Sequence, residues 1–191
     1  MRFVLLLLST ILVALATGFG LSYYALNDGR LVGAVQIGAW TSWPDLGAAS
    51  PNPYSRGHLA REAALQLGRS EGLRFTATTD SAGEPLDLRC TYVLEGHVPV
   101  STFWTLVALD PAGRNLAAPE TDLALRSSEI ARDNSGAMVV SVGTALRPGN
   151  WLELAGRGPF GLALTLYDTT AFSGFGADND TMPTITRGAC A

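Results

Sequence analysis

The stretch FWTLVALDPAG, residues 103–113, decides the fold class of this 191-residue chain. Its first seven residues are apolar or β-branched on both faces, which is typical of a strand in the interior of a sheet. The DPAG after them has the composition of a tight turn. The stretch therefore predicts a central strand that ends in a turn.

Comparable segments lie on both sides of this strand. Period-two alternation of apolar and polar residues predicts further strands at residues 31–40, 73–78, 88–95, 137–142 and 160–167. The turn sequences TDSAG at 79–83 and DNSG at 133–136 lie between predicted strands. Four strand residues are expected in the core, namely Phe103, Val107, Leu162 and Leu164.

A single short helix interrupts the strands. Asn52 suits the N-cap, Pro53 suits the first helical position, and small residues extend the pattern to Gly68. Several short strands at this spacing, with one helix, predict a mainly β protein. The specific prediction is an antiparallel jelly-roll-like β-sandwich with one short helix, preceded by a single N-terminal transmembrane helix.

The N-terminal helix is predicted from a run without charge at residues 3–26. At about 1.5 Å per residue such a helix spans roughly 36 Å, enough to cross a hydrocarbon core of about 30 Å. Arg2 precedes the run, which favours a cytoplasmic N-terminus. We expect a transmembrane signal anchor at residues 1–26 and an exported β-sandwich domain at residues 27–191. A cleaved signal peptide is the alternative, because Ala14-Leu15-Ala16 has the form of a cleavage site.

This topology predicts a single-pass protein of the inner (cytoplasmic) membrane, with its C-terminal domain in the periplasm or exterior. The two cysteines agree with export, since Cys90 and Cys190 form no C-x-x-C pair and have no histidine at metal-ligand spacing. A disulfide between them is predicted, closing a loop of about 100 residues and holding the C-terminal tail.

The charge composition excludes several functional classes. The chain has 17 acidic and 13 basic residues, and every basic residue is arginine. Without lysine it has neither a Schiff-base lysine nor the lysine of a phosphate-binding loop. A net charge of -4 is not that of a nucleic-acid-binding protein. We expect a membrane partner through the N-terminal helix, no nucleic-acid partner, and no cofactor.

Candidate catalytic residues are few. His58 and His97 are expected to be surface or structural histidines, no G-x-S-x-G motif is present, and the DND at residues 178–180 lacks the pattern of a calcium loop. No metal site is predicted. The favoured function is a non-catalytic binding or structural module. The alternative is an envelope hydrolase that acts on glycan or ester through a carboxylate pair.

The loop at residues 147–151 is the candidate ligand-binding segment. Arg147 can pair with an anion, and Asn150 and Trp151 add an amide and an indole. The alternative is structural: Asn150 caps its own turn, and Trp151 closes the end of the sandwich.

Five short motifs occur in a fixed order along the chain, namely FWTL at 103–106 with Asp110, NSG at 134–136, NWL at 150–152, PF at 159–160 and LY at 166–167. Together they resemble a bacterial family, the domain of unknown function 1214 (DUF1214). The resemblance spans residues 71–186. Upstream, GAVQIG at 33–38, Trp40 and NPYSR at 52–56 resemble the N-terminal segment of short membrane-anchored members.

The chain departs from the family pattern at three positions. Glu153 stands where the family often has proline, Ala108 where an aromatic residue is common, and Thr165 where an arginine often precedes the final LY. The resemblance implies a jelly-roll-like β-sandwich, and it implies no reaction.

Overall fold

The computed structural model describes residues 2–27, 33–48, 50–62, 67, 71–119, 121–169 and 181–190. Most of the described residues after the first helix form strands and tight turns. In chain order the elements are α1 (Arg2–Asn27), β1 (Val35–Ile37), β2 (Trp40–Ser42), a 3-10 helix (Pro44–Gly47), α2 (Pro53–Glu62), β3 (Gly72–Ala77), β4 (Cys90–Gly96), β5 (Ser101–Leu109), β6 (Leu125–Arg126), β7 (Met138–Gly143), β8 (Asn150–Glu153), β9 (Gly161–Thr169) and β10 (Thr184–Cys190).

The strands form two sheets. The larger sheet has the order β1-β2-β3-β9-β5-β6, and the smaller has the order β10-β4-β7-β8. Neighbouring strands are antiparallel except β7 and β8, which are parallel, with Val140 opposite Asn150. Residues 144–149 therefore run back along β7 before β8 begins.

Inward-facing side chains of both sheets form one hydrophobic cluster. Phe75, Leu106 and Leu164 of the larger sheet are completely buried, as are Tyr92 and Val140 of the smaller sheet. A core shared by two sheets defines a β-sandwich. The predicted fold class is therefore confirmed, with the parallel β7–β8 pair as the departure from a fully antiparallel arrangement.

The apolar helix α1 is exposed from residue 2 to residue 24. Its residues Arg2–Ala25 are long and apolar enough to cross a membrane. A signal sequence near the N-terminus has the same properties. The helix is thus a candidate membrane anchor or signal sequence.

Helix α2 begins where the sequence predicts. The Oδ1 atom of Asn52 accepts hydrogen bonds from the backbone N–H groups of Tyr54 (3.0 Å) and Ser55 (2.9 Å). These bonds satisfy two N–H groups that have no partner within the first helical turn. Helix α2 is described as far as Glu62, and the predicted extension through residues 63–66 and Gly68 lies outside the described residues.

Three hairpin turns share one construction with the sequence D-x-x-G. In each, one side-chain oxygen of the aspartate accepts the backbone N–H groups two and four residues later. The glycine has a positive φ, which residues with a Cβ rarely adopt. The turns are Asp80–Gly83 (φ 89°), Asp110–Gly113 (φ 79°) and Asp133–Gly136 (φ 84°).

The C-terminal strand β10 is fastened to the sandwich in two ways. Cys190 forms a disulfide bond with Cys90 on the adjacent strand β4, which confirms the predicted pairing. Arg187 donates from Nε to Oδ2 of Asp80 at 3.0 Å and from its terminal guanidinium nitrogen to the Pro85 carbonyl at 2.6 Å. Asp80 is only 3% exposed, so this ion pair joins β10 to the first D-x-x-G turn in a largely buried position.

Candidate functional site

A recess of about 110 Å³ lies where β4 ends and β7 begins. Its walls include Gly96 and Val98, at the end of β4 and just after it, and Gly136 in the third D-x-x-G turn. Gly96 pairs with Met138 in the sheet, so the pairing of β4 with β7 brings these two chain segments together. We refer to this feature as the recess.

The floor of the recess is apolar. It is lined by Trp104 of β5 and Met138 of β7, which are 3% and 2% exposed. The backbone N–H of Trp104 donates a hydrogen bond to the Ser127 hydroxyl at 3.2 Å. Two inward-facing residues of opposite sheets therefore leave a small gap at this point of the core.

Two basic side chains line the mouth of the recess. His97 and Arg132 are both exposed. The Nε2 atom of His97 lies 3.3 Å from the Ser135 carbonyl, so Nε2 is the donor in this contact and Nδ1 is left for other partners. No carboxylate in the described ranges forms an ion pair with Arg132. Within the described part of the chain, the mouth thus holds an unpaired guanidinium beside an imidazole.

Asp133 lies next to Arg132 in the chain, but its carboxylate serves the turn. One oxygen accepts the Ser135 hydroxyl at 2.7 Å and the N–H groups of Ser135 and Ala137, both at 2.9 Å. The hydroxyl bond of Ser135, then the two N–H groups and the charge of His97, lower the pKa of Asp133. This carboxylate is therefore ionised and engaged locally, which fixes the loop that carries Arg132.

Asn150 fixes the same loop from the other side. Its Nδ2 donates to the carbonyl oxygens of Ala131 (2.7 Å) and Val139 (2.9 Å), and its Oδ1 accepts the Ala131 N–H (2.8 Å). The amide therefore binds the residue before Arg132 and the residue after Met138. These contacts replace the expected cap of its own turn, and they make Asn150 a positioning residue for the recess.

The other two predicted ligand-binding residues lie elsewhere. Arg147 is exposed in the connection between β7 and β8. Trp151 lies within β8, opposite Ser141, while its neighbour Leu152 occupies the buried inward position. The indole Nε1 of Trp151 is enclosed and has no hydrogen-bond partner among the residues that the structure describes. Arg147 and Trp151 do not line the recess, and ligand binding by either residue stays a prediction.

Sequence reasoning did not identify Arg132, and it treated His97 as a surface or structural residue. One signal was available: each residue adjoins a glycine-containing turn between predicted strands, at residues 95–99 and 133–136. Loops that join strands of a sandwich are common places for ligand contacts. What the sequence does not reveal is that β4 and β7 are neighbours.

Two other sequence predictions fall outside the described part of the chain. His58 belongs to helix α2, but its side chain is not among the described ones. The acidic residues 178–180 also lie outside the described residues. The expected roles of both segments therefore stay predictions.

Two further carboxylates have structural partners. The pKa of Asp87 is lowered, mainly by its hydrogen bond with the side chain of Arg89. The pKa of Asp110 is lowered, mainly by its hydrogen bonds with the backbone N–H and the side chain of Arg114. A carboxyl group that acts as a general acid needs a raised pKa. Asp87 and Asp110 therefore lack that property, as does Asp133. Within the described ranges, no group of three or more His, Cys, Asp or Glu side chains could hold a metal ion.

Comparison with solved structures finds four matching chains, two of which come from Vibrio parahaemolyticus and Burkholderia cenocepacia. The VPA0106 protein from Vibrio parahaemolyticus superimposes with a TM-score of 0.57 at 18% identity, over 72% of this chain and 36% of that chain. A putative uncharacterized protein from Burkholderia cenocepacia gives a TM-score of 0.44 at 16% identity, over 90% of this chain and 41% of that one. The chain thus spans less than half the length of either protein, and the first likeness supports the fold alone.

A family model matches the central part of the chain, whereas no curated protein matches it. The model described as "Protein of unknown function (DUF1214)" matches residues 71–171, which include strands β3 to β9 and all three D-x-x-G turns. This match covers more than half of the chain, and the protein therefore belongs to the DUF1214 family.

Proposed function

We propose that the protein is a membrane-tethered, non-catalytic binding module of the bacterial envelope, with the recess as its ligand site. Helix α1 holds it in the inner membrane, and the β-sandwich faces the periplasm or exterior. Two features support this topology: Arg2 before an apolar helix favours export of the domain after the helix, and a disulfide is stable in an oxidising compartment.

The recess is the observation that carries the binding role. Small-molecule sites combine an apolar lining with a few oriented polar groups. The apolar floor of Trp104 and Met138 lies below Arg132, whose guanidinium has no ion-pair partner among the described residues. Asp133 and Asn150 form hydrogen bonds with the backbone on the two sides of Arg132, so the loop that carries its side chain is fixed before a ligand arrives.

The module is proposed as non-catalytic because Asp87, Asp110 and Asp133 serve turns and ion pairs and have lowered pKa values. Hydrolysis of glycan or ester by a carboxylate pair stays a prediction without support from these three residues. It is checked by incubating the full-length protein with aryl esters and aryl glycosides. Turnover that saturates with substrate would contradict the non-catalytic role.

The topology is tested in cells. We expect the full-length protein in the membrane fraction, and we expect external protease to degrade the β-sandwich in spheroplasts but not in intact cells. N-terminal sequencing distinguishes an anchor from a cleaved signal peptide. A mature protein that begins at Thr17 would replace the anchor with a cleaved signal peptide.

The binding role is tested by a ligand-observed NMR screen of small fragments against the full-length protein in detergent. We expect some fragments to bind wild type and to lose binding in Arg132→Gln. Arg157→Gln is the matched control, because Arg157 is also an exposed arginine without an ion-pair partner in the described ranges but lies outside the recess. A screen in which no binding fragment distinguishes the two variants would refute the recess as the site.

A further inference from the structure

We infer that the recess binds a carboxylate attached to a short apolar group. This inference rests on the proposed binding function and names its ligand class. Two sources carry this chemistry: a free short-chain monocarboxylate, and the C-terminal end of a peptide whose last residue is small and apolar.

The charge of the ligand is inferred from Arg132. A guanidinium presents a planar fork of N–H donors that matches the two oxygens of a carboxylate. Arg89, Arg114 and Arg187 already have such a partner, since each lies within 3.0 Å of an aspartate oxygen. Arg132 has none among the described residues and lies at the mouth of a recess, so an incoming carboxylate supplies the missing anion.

The carboxylate of Asp133, next to Arg132 in the chain, does not form an ion pair with the Arg132 guanidinium. Asp133 directs one oxygen to three donors of its own turn. Its charge offsets part of the positive charge of Arg132, so the attraction for a multiply charged anion is weaker than an isolated guanidinium would give. His97 adds a second polar group, since its Nε2 is engaged with Ser135 and its Nδ1 is left without a partner in the described residues. A singly charged, oriented group fits this mouth best.

The residues at the floor of the recess indicate the chemical character of the group that is attached to the carboxylate. Trp104 and Met138 offer an indole and a thioether, which favour an apolar substituent and disfavour a fully hydrated inorganic anion. Trp104 also makes no side-chain hydrogen bond to any described residue, so its indole N–H can serve as a donor to an oxygen of the ligand.

The volume limits the size of that substituent. An apolar cavity of about 150 Å³ holds one benzene molecule. By that measure the recess, at about 110 Å³, holds roughly four or five non-hydrogen atoms. Propionate has this size, and so does the carboxyl end of an alanine residue. A larger molecule can enter only by such an end.

The experiment uses the full-length protein in detergent micelles and follows the ¹⁵N–¹H signal of the Trp104 indole, identified by its loss in Trp104→Phe. The probes are propionate, N-acetylalanine, propionamide and propylammonium. We expect propionate or N-acetylalanine to shift this signal in a saturable way. Propionamide and propylammonium, which have a similar shape without the anion, are expected to bind at least about tenfold more weakly.

Two variants localise the effect. Arg132→Gln is expected to weaken carboxylate binding at least about tenfold, whereas Arg157→Gln, at an exposed arginine outside the recess, is expected to leave it unchanged. If only propionate shifts the Trp104 signal in a saturable way, the ligand is a free monocarboxylate. If only N-acetylalanine does so, the ligand is the C-terminal end of a peptide. Circular dichroism and the melting temperature show whether Arg132→Gln is folded, and Arg132→Lys provides a second variant that keeps the charge but loses the bidentate fork.

Three results would overturn the inference. Equal affinity for propionamide and propionate would show that charge is not recognised. Carboxylate binding that Arg132→Gln and Arg132→Lys leave intact would move the site elsewhere. Failure of both carboxylates, while other fragments bind in an Arg132-dependent way, would refute the ligand class and leave the binding function standing.

Discussion

The replacement Asn150→Ala tests how the recess is held together. It removes two donated hydrogen bonds and one accepted bond that join β8 to Ala131 and Val139. Each such bond contributes about 0.5–1.5 kcal/mol net. Because Asn150 is only partly buried, water can replace some of these bonds, and we expect a loss near the lower end, about 2 kcal/mol. For a protein of this size that lowers Tm by roughly 4–8 °C.

The assay is urea denaturation with thermal unfolding followed by circular dichroism. Asn134→Ala is the matched control, because Asn134 is exposed in the neighbouring turn and makes no side-chain hydrogen bond to a described residue. Its effect is expected to stay within about 0.5 kcal/mol. Asn150→Asp keeps an oxygen that can accept the Ala131 N–H, but it places a second carboxylate oxygen next to the carbonyl oxygens of Ala131 and Val139. These oxygens repel one another, so Asn150→Asp should destabilise the protein at least as much as Asn150→Ala.

The expected role of Asn150 is refuted if Asn150→Ala unfolds at the same urea concentration as Asn134→Ala. That result would mean that the three bonds contribute nothing beyond what water supplies. Loss of stability in Asn150→Ala without any change in carboxylate affinity would instead separate the structural role of Asn150 from its role as a positioning residue for Arg132.

Three further predictions concern the C-terminal strand and the turns. Replacing Cys90 and Cys190 by serine should lower the free energy of unfolding by up to about 4–5 kcal/mol, the chain-entropy value for a loop of this length; a loss under about 1 kcal/mol would show that the β4–β10 ladder suffices. Arg187→Gln should cost roughly 2 kcal/mol, because it leaves the buried Asp80 carboxylate without its ion pair, and an unchanged urea midpoint would contradict this. The pKa of Asp133 is lowered on folding, so its ionised form stabilises the protein above an unfolded pKa of about 3.9, and this contribution is lost as pH falls through the folded pKa. The difference in stability between wild type and Asp133→Asn should therefore shrink on acidification from about pH 5. A difference that stays constant with pH would refute this prediction.

The strands illustrate what the sequence could predict. Leu162 and Leu164 lie in the core as expected, because a clean period-two alternation identifies the buried face of a strand. Phe103 and Val107 do not, since both are half-buried and their neighbours Trp104 and Leu106 occupy the core instead. A strand that is apolar on both faces contains no local signal for which face turns inward.

Strand β8 shows a different limit. The Pro-Gly at 148–149 lies in a bend in which Gly149 has a φ of 85°, but Asn150 and Trp151 belong to the strand after it. This four-residue strand is parallel to β7, and its first residue bonds to Ala131, 19 positions earlier in the chain. Pairing over such distances depends on the fold as a whole, so local sequence patterns assign the segment to a loop.

The recess also depends on the pairing of distant strands, so local sequence patterns do not predict it. The role of three acidic residues, in contrast, follows from a local pattern in the sequence. D-x-x-G occurs at Asp80, Asp110 and Asp133, and each time the carboxylate accepts the N–H groups two and four residues on. A carboxylate used in this way stabilises a turn and has little capacity left for catalysis. The excess of acidic residues is thus partly a consequence of how hairpins are closed in this fold. Arginines outside these turns and ion pairs are the more informative charges, and among the described ones Arg132 is the one that lines the recess.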